Sequence, residues 1–144
     1  MKIAIGCDHG GFELKNEIKN HLVERGFAVE DFGITELHKI DYPEIAVKVA
    51  HAVADGKCDR GILVCGTGIG ISITANKIKG IRAAVCTDCF TAEATRLHND
   101  ANILALGGRV VGPGLALKIV ETFLNTPFSG DERHIRRIAQ IETE

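Results

Sequence analysis

Five short apolar runs, each followed by a segment with helical periodicity, constrain this chain more than any other feature. The apolar runs cover residues 2–7, 28–32, 61–65, 83–86 and 102–106. Helices are expected over residues 12–25, 42–54, 70–78 and 89–98, from residue 113 onward, and over 132–141. Strands that alternate with helices favour a parallel sheet covered on both faces. The sequence therefore predicts an α/β protein with a three-layer α/β/α, Rossmann-like fold, in which a five-stranded parallel sheet carries an extra C-terminal helix. The pattern leaves the strand order open.

The length and composition fit one domain spanning residues 1–144. Hydrophobic residues make up 45% of the chain, enough for one core, and no linker divides it. The formal net charge is −2, so no broad basic surface points to nucleic acid. Trp is absent and Tyr occurs once, so the chain lacks the aromatic stacking surfaces expected of a protein that binds single-stranded nucleic acid. We therefore expect a small-molecule partner and no nucleic acid.

The cysteines and the apolar segments bear on the cellular compartment. Five cysteines form an odd set in a chain whose size needs no covalent cross-links, so reduced thiols are expected. No segment has the length of a membrane span or of a signal-peptide core. We expect a cytoplasmic protein without a membrane partner.

The segment from Ile62 to Ser72 contains the strongest candidate for chemistry. Its apolar run predicts a strand buried on both faces, with Cys65 at the carboxyl end, where ligands collect in open α/β sheets. Gly66, Gly68 and Gly70 follow, and they let the backbone turn with N–H groups exposed beside a helix start. That arrangement favours an anion and a thiolate. The spacing matches neither the dinucleotide fingerprint nor a P-loop. Thr67 adds a hydroxyl that serves either a substrate or the turn itself.

A second polar turn, Asp8-His9-Gly10-Gly11, follows the first predicted strand. The carboxyl ends of parallel strands open on one side of the sheet, so this turn can face Cys65. Asp8 beside His9 could shuttle a proton or bind a sugar hydroxyl, and it could equally cap the helix that follows.

Two further polar groups lie late in the chain. His98 and Asn99 end the fourth helix, where a histidine can act as an acid or base or can simply suit the helix dipole. Arg133 and Arg137 are four residues apart and share a face of the last helix. That face is either solvated or shaped for a phosphate dianion, and a terminal helix can reach another subunit.

The pair Cys86 and Cys89 forms an isolated CxxC at a strand-to-helix junction. No second pair stands at zinc-ribbon spacing, and the residues between the two cysteines lack the usual redox bend. The sequence therefore favours no metal site and no redox role here.

Several of these segments together resemble the ribose-5-phosphate isomerase type B family, over nearly the whole chain. The similar segments are residues 6–9, 41–43, 65–72, 75–77, 96–100 and 108–112, together with Arg133 and Arg137. The resemblance implies an aldose-ketose isomerase without a cofactor. It implies an enediolate route between ribose 5-phosphate and ribulose 5-phosphate, in a homodimer or possible tetramer with active sites at the subunit interface.

The resemblance also implies a role for each candidate residue. Cys65 would be the base, and residues 66 to 70 (Gly66, Thr67, Gly68, Ile69 and Gly70) would supply N–H groups to the enediolate oxygen. His98 would open the furanose ring, Asp8 and Asn99 would bind sugar hydroxyls, and the phosphate would be bound by His9, Arg109, Arg133 and Arg137. One branch of the family uses a glutamate where this chain has Ile71, so the chain resembles the cysteine branch. Allose 6-phosphate, galactose 6-phosphate and a non-catalytic sugar-phosphate binding module remain alternatives.

Overall fold

A computed structural model describes all residues, 1–144, and its elements alternate as the sequence predicts. The strands are β1 (Lys2–Cys7), β2 (Ala28–Asp31), β3 (Arg60–Cys65), β4 (Ala83–Val85) and β5 (Ile103–Gly107). The helices are α1 (Phe12–Glu24), α2 (Tyr42–Ala54), α3 (Ile69–Ala75), α4 (Cys89–Asn99), α5 (Pro113–Asn125) and α6 (Glu132–Glu142). A single 3-10 turn, His9–Gly11, precedes α1. None of the helices combines the length and apolar character that crossing a bilayer requires.

The strands form one five-stranded sheet in the order β2-β1-β3-β5-β4. All four neighbouring pairs are parallel, so every carboxyl end lies at the same edge of the sheet. We call this the carboxyl edge, and the opposite side the amino edge. Strand β3 lies at the centre of the sheet, and its last residue, Cys65, therefore reaches the middle of the carboxyl edge.

The core surrounds the central strands. Ile62, Leu63 and Val64 have no exposed surface, which confirms that β3 is buried on both faces. They belong to one apolar cluster of 35 buried residues that joins the sheet to the helices of both layers. Burial of both faces fixes the position of β3, and hence of the residue that follows its apolar run.

Helix α3 is shorter than the sequence pattern predicts, because it ends at Ala75 rather than near Ile78. The side-chain amide of Asn76 donates to the carbonyl of Ala83 at 2.9 Å and accepts the Ala83 N–H at 2.7 Å. This paired contact ties the end of α3 to the start of β4. Beyond Ala75 the backbone turns with the shorter bonds from Lys77 N–H to the Thr74 carbonyl and from Ile78 N–H to the Ala75 carbonyl.

A buried ion pair fixes the chain after β2. The ammonium of Lys15, which is fully buried, donates to Asp31 at 2.8 Å and to the carbonyl of Ile34 at 2.9 Å. Burial pushes the pKa of Asp31 upward, but hydrogen bonds from Lys15, Gly33 and Lys19 outweigh it and hold that pKa below its usual range. The network anchors the start of the loop that leads to α2.

Removing the Asp31 carboxylate should destabilise the fold, because it leaves the Lys15 charge buried without a partner. We expect Asp31→Ala to lower the free energy of unfolding by about 3 kcal/mol in urea titrations at neutral pH. Because the folded-state pKa of Asp31 is depressed, its contribution to stability is fully present above the unfolded-state pKa. The contribution is lost as the pH falls through the folded-state pKa. The difference from the parent should therefore shrink in acid.

The neighbouring Glu30→Ala is the matched control, because Glu30 pairs with Lys2 in an ion pair that is nearly half exposed. It should change the unfolding free energy much less. Equal losses for the two variants would contradict the role given to the Lys15–Asp31 pair.

Candidate active site

Cys65 lies where β3 ends and the glycine loop begins, and only 4% of it is exposed. Gly68 adopts a φ of 80°, a left-handed conformation that suits glycine, and this turn brings its N–H to the thiol. The Gly68 nitrogen lies 3.1 Å from the Cys65 Sγ. This N–H is directed at the sulfur atom, so the loop fixes the position of the Cys65 side chain.

The loop divides its N–H groups between internal bonds and open positions. Gly68 donates to the Cys65 thiol, and Ile69 donates to the Thr67 hydroxyl oxygen at 3.2 Å. The N–H groups of Gly66, Thr67 and Gly70 have no acceptor within the chain. Three of the five N–H groups in this loop are therefore available to an incoming oxyanion.

The Asp8 turn lies against the glycine loop, as the parallel sheet predicts. A methyl group built on Gly10 would lie 2.9 Å from the Gly66 nitrogen, so the two backbones approach closely. The Asp8 carboxylate caps its turn, because Oδ1 accepts the N–H groups of Gly10 and Gly11 at 2.9 and 3.2 Å. The capping function is thus present. Both capping bonds use one oxygen, which leaves Oδ2 for a ligand.

Two cationic candidates border the same loop. A methyl group on Gly66 would lie 2.9 Å from the Nη1 atom of Arg109, so this guanidinium lies against the loop. Arg109 forms no ion pair with a carboxylate of the chain. His9 is exposed on the 3-10 turn, and its Nδ1 accepts the N–H of Ile40 at 3.4 Å. The carboxyl edge therefore holds a thiol, a carboxylate, an imidazole and a guanidinium.

Tyr42 also belongs to this edge, although the sequence analysis did not assign it to the site. A methyl group on Gly70 would lie 2.5 Å from the Tyr42 Cζ, so the ring packs directly on the glycine loop. Tyr42 is 38% exposed at the start of α2. Tyr42 is the one tyrosine of the chain and stands just before a proline that starts a helix. This was the sequence signal that could have assigned it to the site.

The remaining candidates form a second cluster at the amino edge. Helix α4 runs back from the carboxyl end of β4, so its last residues reach the opposite side of the sheet. Arg82, just before β4, confirms this placement, because its side chain donates to the carbonyl of Asn99 at 2.9 Å. A cavity of about 370 Å³ is lined there by His98, Asn99, Arg133, His134, Arg137, Ile138 and Ile141.

The two clusters are separated by the length of the sheet. Strand β3 has six residues, which at about 3.3 Å each span roughly 17 Å. A chemical step that uses both Cys65 and His98 therefore cannot take place within one chain. The candidate residues of each chain fall into two separate clusters, one at each edge.

Two other cysteines, Cys86 and Cys7, lack the features of reactive thiols. Cys86 is buried, and burial raises the pKa of its thiol, opposite to the shift that a redox CxxC requires. Burial likewise raises the pKa of Cys7 to about 11. No group of three or more His, Cys, Asp or Glu side chains converges in a way that could hold a metal ion.

Comparison with known proteins defines the class. Residues 3–141 match the sequence profile of the family described as Ribose/Galactose Isomerase. The chain belongs to this family and is an isomerase. Its five-stranded parallel sheet and six helices are those of the family's solved structures.

Individual relatives cover nearly the full length. Ribose-5-phosphate isomerase B of Escherichia coli is 54% identical over 97% of this chain and 93% of its own. D-erythrulose-4-phosphate isomerase of Pectobacterium atrosepticum is 46% identical over 90% of this chain and 86% of its own. The structure of ribose-5-phosphate isomerase B from Clostridium thermocellum superposes with a TM-score of 0.98 at 57% identity, covering 99% of this chain and 96% of that one.

Gly68→Ala should disrupt the thiol loop. An added methyl group would be strained at φ 80° and would lie 2.9 Å from the backbone carbon of Leu106. We expect this variant to lose more than about 1 kcal/mol of unfolding free energy. Gly114→Ala, in α5 with open space around it, is the matched control and should be neutral or stabilising. Urea titration compares the two, and an undisturbed Gly68→Ala would contradict the described loop.

Proposed function

We propose that the protein interconverts D-ribose 5-phosphate and D-ribulose 5-phosphate through an enediolate, with Cys65 as the base. The observation that carries this proposal is the Gly68 N–H, which donates to the Sγ of a strand-end cysteine. In the open-chain aldose, Cys65 takes the proton from C2. It returns that proton to C1 while the hydroxyl proton of O2 moves to O1, so the carbonyl moves from C1 to C2. Family membership and the relatives named above support this substrate.

Proton removal from C2 places negative charge on the former carbonyl oxygen. The open N–H groups of Gly66, Thr67 and Gly70 form the oxyanion hole that stabilises it. One such donor contributes roughly 3 kcal/mol to transition-state stabilisation in other enzymes. Thr67 is exposed, and its hydroxyl oxygen accepts the Ile69 N–H, so its own proton remains for a substrate oxygen.

The remaining residues bind and prepare the sugar. Asp8 and Asn99 bind hydroxyl groups, and His98 acts as the acid-base group that opens the furanose ring. Four side chains bind the phosphate dianion, two from each edge: His9 and Arg109, and Arg133 and Arg137. Guanidinium groups suit this task because they pair with phosphate oxygens in a bidentate manner.

A homodimer completes the site, because no single chain brings its two edges together. The carboxyl edge of one subunit would meet the amino edge of its partner, and two-fold symmetry would give two equal sites. Exposed apolar side chains on α3 and α4 support such a contact. Ile69 and Ile73 on α3 are each more than half exposed, and Phe90 at the start of α4 is 77% exposed.

The reaction needs only groups that the side chains and backbone supply. We propose that it proceeds without a metal or organic cofactor, since the thiolate and the N–H groups provide the base and the charge stabilisation. The five free thiols favour a reducing compartment, which supports a cytoplasmic location.

The first test removes the proposed base. Cys65→Ala should lower kcat by at least about 1000-fold while ribose 5-phosphate still binds in calorimetry, because phosphate contacts do not use the thiol. Cys58→Ala is the matched control, since Cys58 is also buried but lies before β3, far from the glycine loop. It should retain parent turnover.

Circular dichroism of Cys65→Ala must first show an intact fold. Near-normal turnover in that folded variant would remove Cys65 from the chemistry. If the parent protein itself binds sugar phosphates without converting ribose, allose or galactose phosphates, a non-catalytic binding module is the better description.

The second test asks whether the two edges come from different subunits. Mixed dimers of Cys65→Ala and Arg137→Ala chains contain one site with both defects and one site with neither. They should regain about half of the parent activity per dimer, although each homodimer is inactive.

Mixing Cys65→Ala with Arg109→Ala is the matched control, because both residues belong to the carboxyl edge. Each site of that mixed dimer carries one defect, so no activity should return. Failure of the first mixture to regain activity, with mixed dimers verified by mass spectrometry, would contradict the shared site.

A further inference from the structure

We propose that His134 is a positioning residue that holds the His98 imidazole in place for ring opening. This inference rests on the role given above to His98. The two imidazole rings are in contact, with centroids 4.7 Å apart and planes inclined by 39°. His98 itself is exposed at the end of α4, so the His134 ring is the surface against which its orientation can be fixed.

His134 is unusual within its own helix. It is the one buried residue of α6, with 6% of its surface exposed, whereas the arginines on either side reach solvent. A buried histidine on an otherwise exposed helix implies specific contacts rather than general packing. The His98 ring is one of those contacts.

A serine fixes the His134 ring from the other side. Ser129 Oγ lies 2.8 Å from His134 Nδ1, and the same oxygen accepts the Asp131 N–H at 3.2 Å. The Ser129 N–H donates to the carbonyl of Leu97 at 3.3 Å, directly before His98. The chain therefore links His98, His134 and Ser129 in a closed set of contacts, so we expect a change in the His134 ring to alter the orientation of His98.

The charge state of His134 suits this role. Burial, together with Arg133, His98 and Arg137, lowers its pKa and outweighs the opposing effect of Asp131. The lowered pKa favours the neutral His134 ring. A neutral ring can pack on His98 without adding a further positive charge beside the group that must accept and release a proton.

Helix α6 has a separate attachment, so loss of the His134 ring should leave the helix in place. The Glu142 carboxylate near the end of α6 pairs with Arg82 at 2.6 Å, and Arg82 also donates to the carbonyls of Asn99 and Asp100. A change at His134 can therefore be tested in a folded protein. The phosphate-binding arginines of α6 should keep their positions.

Two substitutions separate the ring from its hydrogen bond. His134→Phe keeps an aromatic ring against His98 but loses the bond to Ser129, whereas His134→Asn keeps a polar group and loses the ring. We expect His134→Asn to lower kcat for ribose 5-phosphate about 10-fold with KM changed less than about 2-fold. His134→Phe should stay within about 3-fold of the parent in kcat. Gln140→Ala, exposed on the same helix, is the control for α6 and should match the parent.

A substrate without a ring distinguishes positioning of His98 from a general defect. Erythrose 4-phosphate cannot form a furanose, because the hydroxyl that would close the ring carries the phosphate. Ribulose 5-phosphate is open-chain for the same reason, and its uptake of deuterium from D₂O requires only the proton transfer. His134→Asn should leave both reactions within about 2-fold of the parent while ribose 5-phosphate conversion falls.

The outcomes are decisive for the proposal. Three results would each overturn it. The first is unchanged ribose 5-phosphate turnover in His134→Asn, and the second is an equal loss of activity in that variant with ring-free and ring-forming substrates. The third is a His134→Phe variant as slow as His134→Asn. If the parent does not convert erythrose 4-phosphate, deuterium uptake decides. The variant His98→Gln tests the role of His98 separately, because parent-like turnover in it would refute ring opening by His98. If His98→Gln is slow and His134→Asn is unaffected, only the positioning role of His134 is refuted.

Discussion

The common direction of the five strands is the constraint on which the rest of this structure depends. Because every strand is parallel to its neighbours, the loops after β1, β3 and β5 meet at one edge and bring Asp8, Cys65 and Arg109 together. The same constraint sends the end of α4 to the opposite edge with His98. The fold therefore separates the candidate residues into two clusters, and the proposed mechanism, which uses both, requires two chains.

Close approach of backbones gives the carboxyl edge its chemistry. Methyl groups on Gly10, Gly66 or Gly70 would come within 3 Å of the neighbouring loop, of Arg109 or of Tyr42. The glycines thus let the Asp8 turn, Arg109 and Tyr42 pack directly on the loop that follows Cys65. The loop offers N–H groups without an internal acceptor beside a nearly buried sulfur atom, which suits proton transfer beside a developing oxyanion.

The sequence predicted most of the fold because the apolar runs and their helical neighbours carry strong periodic signals. Strand β1 agrees with the predicted range, β3 differs by one residue at its start, and β5 is shifted by one residue at both ends. The predicted end of α3 was wrong because the helix ends just before Asn76, whose side chain bonds to Ala83 in β4, outside the helix pattern. The strand order, with β5 between β3 and β4, depends on packing between helices and could not be read from local periodicity.

The site was predictable to the extent that its residues follow strands. Cys65, Asp8 and the glycine loop were found in this way, and the structure brings them together. Tyr42 and His134 were missed, since their positions follow from tertiary contacts with Gly70 and His98. The roles of all these residues in catalysis stay predictions.

A crystal structure with bound ribulose 5-phosphate tests the central claim most directly. The account predicts C1 and C2 of the sugar within roughly 4 Å of the Cys65 sulfur. It also predicts that the same ligand contacts His98, Arg133 and Arg137 of the second subunit. A ligand bound entirely by residues of one subunit, or one whose carbon atoms lie far from Cys65, would contradict it.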